Sequence, residues 1–203
     1  MRWFQFGLTS PVFRQHGARP VEPWVLQQYG KSGQAAYDAV VKMIRLRRAL
    51  RPYVLEQMRA VADSGTPVNR PLSFDFPEDA QAWKVTDQVR AAATHLPPCP
   101  AAARHHHRSR NPRRQFMFGG RFMAAPVYHT GARSRRVYFP RGGAGACEGG
   151  WRQYAPAGTG NVTVPGLVGA AHAPGSTAEV EAPFDALPLF ACGLKAQGVV
   201  ESF

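Results

Sequence analysis

Between Gln34 and Ser64 the apolar residues recur at helical spacing, yet a proline stands in the middle of the run. Tyr37, Val40, Val41 and Ile44 mark one stripe, and Val54, Leu55, Met58 and Val61 resume it. Pro52 removes a backbone donor and drives its ring against the carbonyl of Arg48, a penalty of about 3 kcal/mol in an uninterrupted helix. The spacing therefore predicts a helix over 34–64, kinked or broken near Arg48 to Pro52. Ser32 is its expected N-cap, and Gly65 its expected left-handed C-terminal residue.

The chain around this helix changes character. Most of the 20 Gly and 18 Pro fall after residue 64, where they punctuate short strands and turns. The 203 residues, 44% hydrophobic and 11% aromatic, suffice for a buried core. Pro67 to Phe76, Phe116 to Tyr128, Arg136 to Phe139, Ala178 to Glu181 and Leu187 to Ala191 read as strands from their alternation and β-branched or aromatic content. Between Gly142 and Gly175 the Gly, Ala, Pro and Thr leave little to place. Before the helix, Ser10 to His16 reads as a short strand with Val12, Arg14 and His16 on one face. Gly17 to Gly33 reads as a loop, with Trp24 as its apolar anchor.

Charge and cysteine usage narrow the function classes. The formal net charge of +12 invites a nucleic-acid-binding reading, because clustered Lys and Arg displace counterions from phosphates. However, six of the 25 Lys and Arg lie between Val89 and Gln115, a stretch with no Asp or Glu, which leaves 19 basic against 13 acidic residues elsewhere. The composition of this stretch predicts a disordered basic insert. His105, His106 and His107 within it lack the spacing of a metal site. Cys99, Cys147 and Cys192, odd in number and widely spaced, suggest unpaired or buried thiols and no zinc site. No run of 18 apolar residues offers a membrane span, and Met1 to Phe6 lacks the apolar region of a signal peptide.

Four blocks, read in order, carry a resemblance. They are Arg2-Trp3-Phe4-Gln5-Phe6-Gly7 with Ser10-Pro11-Val12-Phe13-Arg14-Gln15-His16-Gly17 and Glu22-Pro23-Trp24; Ile44-Arg45-Leu46-Arg47 with Leu50-Arg51-Pro52-Tyr53; Gly65 to Leu72 with Phe76-Pro77-Glu78-Asp79; and Phe116 to Tyr128 with Val137-Tyr138-Phe139-Pro140 and Ala182 to Phe190. This collinear set resembles the C-terminal part of the catalytic region of glycoside hydrolase family 31, which includes alpha-glucosidases and alpha-xylosidases. The Arg-x-His-Gly form before Glu-Pro-Trp is closer to the bacterial xylosidase and glucosidase branch than to the lysosomal one.

The resemblance implies an α/β fragment followed by mostly-β structure. Residues 1–64 become the last strand and helix of a (β/α)₈ TIM barrel, and 65–203 an incomplete β-sandwich, the proximal C-terminal β domain, interrupted by 89–115. His16 then stands at the C-terminal end of a barrel strand, where such barrels place their chemistry. There it would hydrogen-bond sugar hydroxyls of an oligosaccharide or α-glycoside; the alternative is a histidine satisfied within the fold. Arg14 would order neighbouring carboxylates, and Trp24 is either a sugar platform or a loop anchor.

The two catalytic Asp of the family lie on earlier strands, and their motif is absent here, so no catalytic residue is assigned and hydrolysis by this chain alone is not expected. No metal or cofactor is implied. Deleting 89–115 joins Asp87-Gln88 to Phe116-Met117-Phe118-Gly119 and restores the family's usual run, and its Val and Gln ends fit splice-site codons, as a translated intron would. Two other classes compete with the hydrolase fragment: a nucleic-acid-binding protein using the Arg/His stretch, and a non-catalytic sugar-binding relic.

Overall fold

A computed structural model describes residues 1–14, 16–18, 22–85, 115–142, 147, 149–157 and 164–192. Helix α1 (Arg2–Leu8) opens the chain, followed by a 3₁₀ helix (Pro23–Tyr29), α2 (Gly30–Ala49) and α3 (Arg51–Ser64). The break foreseen at Pro52 is present. Leu50 closes α2 and opens α3, and Pro52 occupies the first turn of α3, where its missing N–H leaves no helical bond unmade. Gly65 ends α3 in the left-handed conformation with φ 72°, its N–H donating to Val61 O. Ser32 is not the N-cap: α2 begins at Gly30, continuing directly from the 3₁₀ turn. Gly33 is required there, since a Cβ at that position would lie 2.0 Å from Leu26 O.

Beyond α3 come β1 (Asn69–Arg70), α4 (Leu72–Asp75), a 3₁₀ turn (Ala82–Lys84), β2 (Phe116–Phe118), β3 (Phe122–Ala124), β4 (Ser134–Tyr138), β5 (Trp151–Ala157), β6 (Val164–His172), β7 (Thr177–Glu181) and β8 (Leu189–Cys192). A six-stranded antiparallel sheet runs β1-β2-β3-β8-β5-β6, and β4 pairs with β7 in a second sheet. The expected strand from Pro67 to Phe76 is wrong in its second half. After Pro71 the chain makes one helical turn, with Phe76 N–H bonded to Leu72 O, which buries Leu72 and Phe76 and leaves Phe74 out.

The large sheet is covered on both faces, and period-two alternation decides which side chain goes where. Phe116, Phe118, Phe122, Ala124, Leu189 and Ala191 point to the helices, packing with Leu8, Met43, Leu46, Leu50 and Tyr53. Met117, Met123 and Phe190 point the other way, onto Val137 and Val180 of the small sheet and Phe139 just after β4. The β part is thus six strands against two among the described residues, with helices as a third layer. Double coverage explains why these strands read as unbroken apolar runs.

Two expectations for the β region are overturned. Cys147 and Cys192 are joined by a disulfide, with Cα atoms 5.2 Å apart. The 45-residue separation gave the sequence no hint of it; folding brings the turn before β5 beside the end of β8, because β5 and β8 are paired. Gln115, assigned to the basic insert, is fully buried. Its side chain accepts from Tyr138 N–H at 2.9 Å and donates to Tyr138 O, clamping β4 as a backbone mimic. The rest of 89–115 and Cys99 lie outside the described residues.

Candidate functional site

None of the described residues from Ser10 to His16 lies in a strand. After α1 the chain bends at Ser10 to Val12 and continues without regular structure through Arg14 and over residues 16–18. A barrel strand obtains its hydrogen bonds from a neighbour on each edge, and no described strand of this chain lies in either place. Val12 is accordingly 76% exposed instead of lining an interior.

The base of the segment is nonetheless fixed. Arg47, on α2, donates from Nη1 to Leu8 O and from Nη2 to Pro11 O, each at 2.8 Å, and its guanidinium lies 6.0 Å from the Phe13 ring centre. Phe13 packs edge-on against Phe4 at 4.8 Å. Burial lowers the Arg47 pKa from its ordinary value. Helix α1 is held to the β part in turn. Arg2 donates to the carbonyls of Ala132, Ala182, Pro183 and Ala186, Gln5 donates to Phe184 O, and Lys42 forms a 2.6 Å ion pair with Asp185. The Lys42 hydrogen bond holds the Asp185 carboxyl below the usual range.

On this fixed base, Arg14 and His16 are both exposed. They share a segment, but among the described residues neither has a hydrogen-bonding or ionic partner. Residues 1–21 contain no Asp or Glu, so carboxylates for Arg14 to order must come from elsewhere. Trp24 is the second residue of the 3₁₀ helix and is 63% exposed, so it does not anchor its loop against the described residues. With Trp3 at 80% and Tyr29 at 66%, it gives this end of the chain an uncovered aromatic border. The residues that sequence reasoning passed over are Arg2 and Arg47. Both lie within the quoted blocks, but their partners are backbone carbonyls, which leave no trace in a sequence. No group of three potential metal ligands occurs among the described residues, and no helix there is long and apolar enough to cross a membrane.

Two family profiles match in tandem. The profile of the glycosyl hydrolases family 31 TIM-barrel domain covers residues 1–57, and that of the family 31 C-terminal domain covers residues 65–193. The chain belongs to glycoside hydrolase family 31. Alpha-glucosidase 2 of Bacillus thermoamyloliquefaciens is 27% identical over 144 residues, which cover 70% of this chain and 14% of that protein. An alpha-xylosidase of Emericella nidulans is 27% identical over 128 residues, 63% of this chain and 12% of that one. Among solved structures, the family 31 alpha-xylosidase of Xanthomonas citri superposes with a TM-score of 0.64 at 28% identity, covering 94% of this chain and 16% of its own. A dextranase of Flavobacterium johnsoniae complexed with glucose gives 0.62 at 26% identity, covering 94% and 18%. The family 31 chain therefore spans about one seventh of the alpha-glucosidase it matches. Its exposed border, with Val12, Arg14, His16 and Trp24, lies within the barrel-matched part.

Proposed function

We propose that this chain supplies the last strand and helix of the catalytic barrel, and the β domain behind it, to an α-glycosidase that hydrolyses α-linked glucosides or xylosides with retention. The observation that carries this reading is the tandem order of the two profile matches, barrel then C-terminal domain, on one continuous chain. In this reading residues 10–16 take up strand structure when a barrel neighbour lies on each edge. His16 then reaches the sugar from the strand's C-terminal end and donates to, or accepts from, its hydroxyls. Arg14, one pleat deeper, orients carboxylates, and Trp24 borders the sugar site.

Retention needs two carboxyl groups about 5–5.5 Å apart, one attacking the anomeric carbon and the other protonating the leaving oxygen and later activating water. Those two groups are not assigned to any residue here, so the chain by itself is inert. The test is a chimera in which residues 1–192 replace the matching segment of the Bacillus alpha-glucosidase, assayed on p-nitrophenyl α-glucoside and α-xyloside. Turnover is expected, with a loss of about 100-fold or more in His16→Ala, in line with the loss of a substrate-positioning group. A folded chimera inactive on both substrates, or turnover by the isolated chain, would refute the proposal.

A further inference from the structure

Arg47 directs both prongs of its guanidinium at the main chain of one bend, and the reason lies in a missing donor. At the end of α1 the backbone closes in steps of three, with Thr9 N–H donating to Phe6 O and Ser10 N–H to Gly7 O. The next bond in that series would run from residue 11 to Leu8 O, but residue 11 is Pro11 and has no N–H. Arg47 Nη1 donates to Leu8 O in its place, and Nη2 donates to Pro11 O, each at 2.8 Å.

The clamp is rigid on both sides. Met43 and Leu46 of α2, with Leu50 at its end, are buried in the core and fix the helix that carries Arg47. No Asp or Glu pairs with Arg47 among the described residues, so its charge serves this bend alone. Phe13 closes the bend from the other direction. Its ring lies 6.0 Å from the guanidinium, packs on Phe4, and covers Gly7 so closely that a Cβ there would come within 3.2 Å of it.

Arg14 and His16 follow directly on this fixed point. With Pro11 O engaged and no N–H at Pro11, donation to a neighbouring strand begins at Val12. At about 3.3 Å per residue His16 lies about 17 Å further on in an extended chain. Side chains alternate, so a slip of one residue would turn Arg14 and His16 together to the opposite face. A planar fork fixes orientation as well as distance, which the single point charge of a lysine does not.

We infer that Arg47 is a positioning residue: by replacing the donor that Pro11 lacks and holding Pro11 O, it sets the register from which Arg14 and His16 are presented. The clamp stands on the bonds just described, while the use made of Arg14 and His16 rests on the glycosidase reading. The test measures ¹⁵N order parameters of the Val12, Phe13 and Arg14 amides in the whole chain. Values near the rigid-backbone level of about 0.85 are expected in the native chain and below about 0.6 in Arg47→Ala, with Phe118 and Phe190 of the sheet unmoved. Arg47→Lys keeps the charge without the fork and should recover only part of the order. Methylguanidinium added to Arg47→Ala should recover more than methylammonium at the same concentration. Equal order in all three chains, equal rescue by the two cations, or a loss in Arg47→Lys that reaches Phe118 and Phe190 would overturn the inference. In the Bacillus chimera, Arg47→Ala should lower turnover about tenfold or more, yet cost little further once His16→Ala is present, because one acts through the other. Fully additive losses would count against it. A chimera without turnover sinks the glycosidase reading and leaves the order parameters to decide on Arg47.

Discussion

Reducing the Cys147–Cys192 bond perturbs the unfolded chain far more than the folded one. In the native state β5 and β8 are already paired, with Trp151 opposite Cys192, so the two sulfur atoms stay close with or without the bond. In the unfolded state the bond closes a loop of 45 residues. Chain-entropy arithmetic for that length gives about 4 kcal/mol at 25 °C, an upper figure because unfolded chains retain structure. For a domain of this size each kcal/mol shifts the midpoint by about 2–4 °C, so reduction should lower the melting temperature by about 8–16 °C. The measurement is thermal unfolding followed by circular dichroism, with and without reductant, on the native chain and on Cys147→Ser/Cys192→Ser. The native chain should lose stability on reduction, and the double variant should melt low under both conditions. Thiol titration of the unreduced, denatured chain should find one thiol, and three after reduction. Three thiols before reduction, or a midpoint indifferent to reductant, would refute the bond.

Gly119, at φ 63° in the β2–β3 turn, faces the Tyr53 hydroxyl so closely that a Cβ would lie 1.9 Å from it. Gly119→Ala should cost about 2 kcal/mol or more, from left-handed strain plus displacement of a hydroxyl that donates to Phe118 O at 2.7 Å, read by urea unfolding. At Asp79, burial raises the carboxyl pKa, but hydrogen bonds from Tyr138 O–H and from the Arg141 and Gln81 N–H groups outweigh it, so the net shift is downward. A carboxyl depressed in the folded state contributes stability above the unfolded pKa of about 3.9, lost as pH falls through the folded value. Asp79→Asn should therefore cost about 2 kcal/mol at pH 7, with the gap to the native chain closing below about pH 4 in pH-dependent urea titrations; a gap independent of pH would contradict the assignment.

What the sequence disclosed was local or patterned. Pro52 announces the helix break because the missing donor acts within one turn, and Gly65 announces its end because few other residues adopt that backbone cheaply. Phe116 to Tyr128 read as β structure from its aromatic and β-branched content, while the turn at Gly119-Gly120 that splits it into β2 and β3 was not foreseen. Structure that depends on distant partners stayed hidden. Ser10 to His16 has strand chemistry, but a strand also needs neighbours, and no described strand pairs with it. The hairpin of β5 and β6 lies in the Gly- and Ala-rich stretch where side-chain pattern is weak, and its pairing rests on backbone bonds. Leu72, Phe74 and Phe76 alternate as a strand would, yet one helical turn buries the outer two equally well. Of the candidate site, the sequence supplied the residue identities and the family, while the Arg47 and Arg2 bonds to carbonyls came only from the fold.

The same bonds bear on whether the barrel-matched and β parts are separable. The core that buries Leu8, Met43, Leu46, Leu50, Tyr53 and Val54 is completed by Val68, Phe116, Phe118, Phe122, Tyr154 and Leu189, so neither part closes a core of its own on that side. Arginines donating to carbonyls add orientation to this contact, because a carbonyl in a bend is present whatever side chain it belongs to. A chain cut after Ser64 would leave one face of the large sheet open, with Phe116, Phe118 and Phe122 in water. At about 25 cal/mol per Å² of apolar surface, three phenylalanines alone represent several kcal/mol, comparable to the whole stability of a domain. Residues 65–203 expressed alone should consequently bind a hydrophobic dye and unfold without a cooperative transition. Adding residues 1–64 as a separate peptide should restore cooperativity. A cooperative, dye-silent 65–203 would mean that the small sheet and the disulfide suffice, and that the helices are a cover and not half of the core.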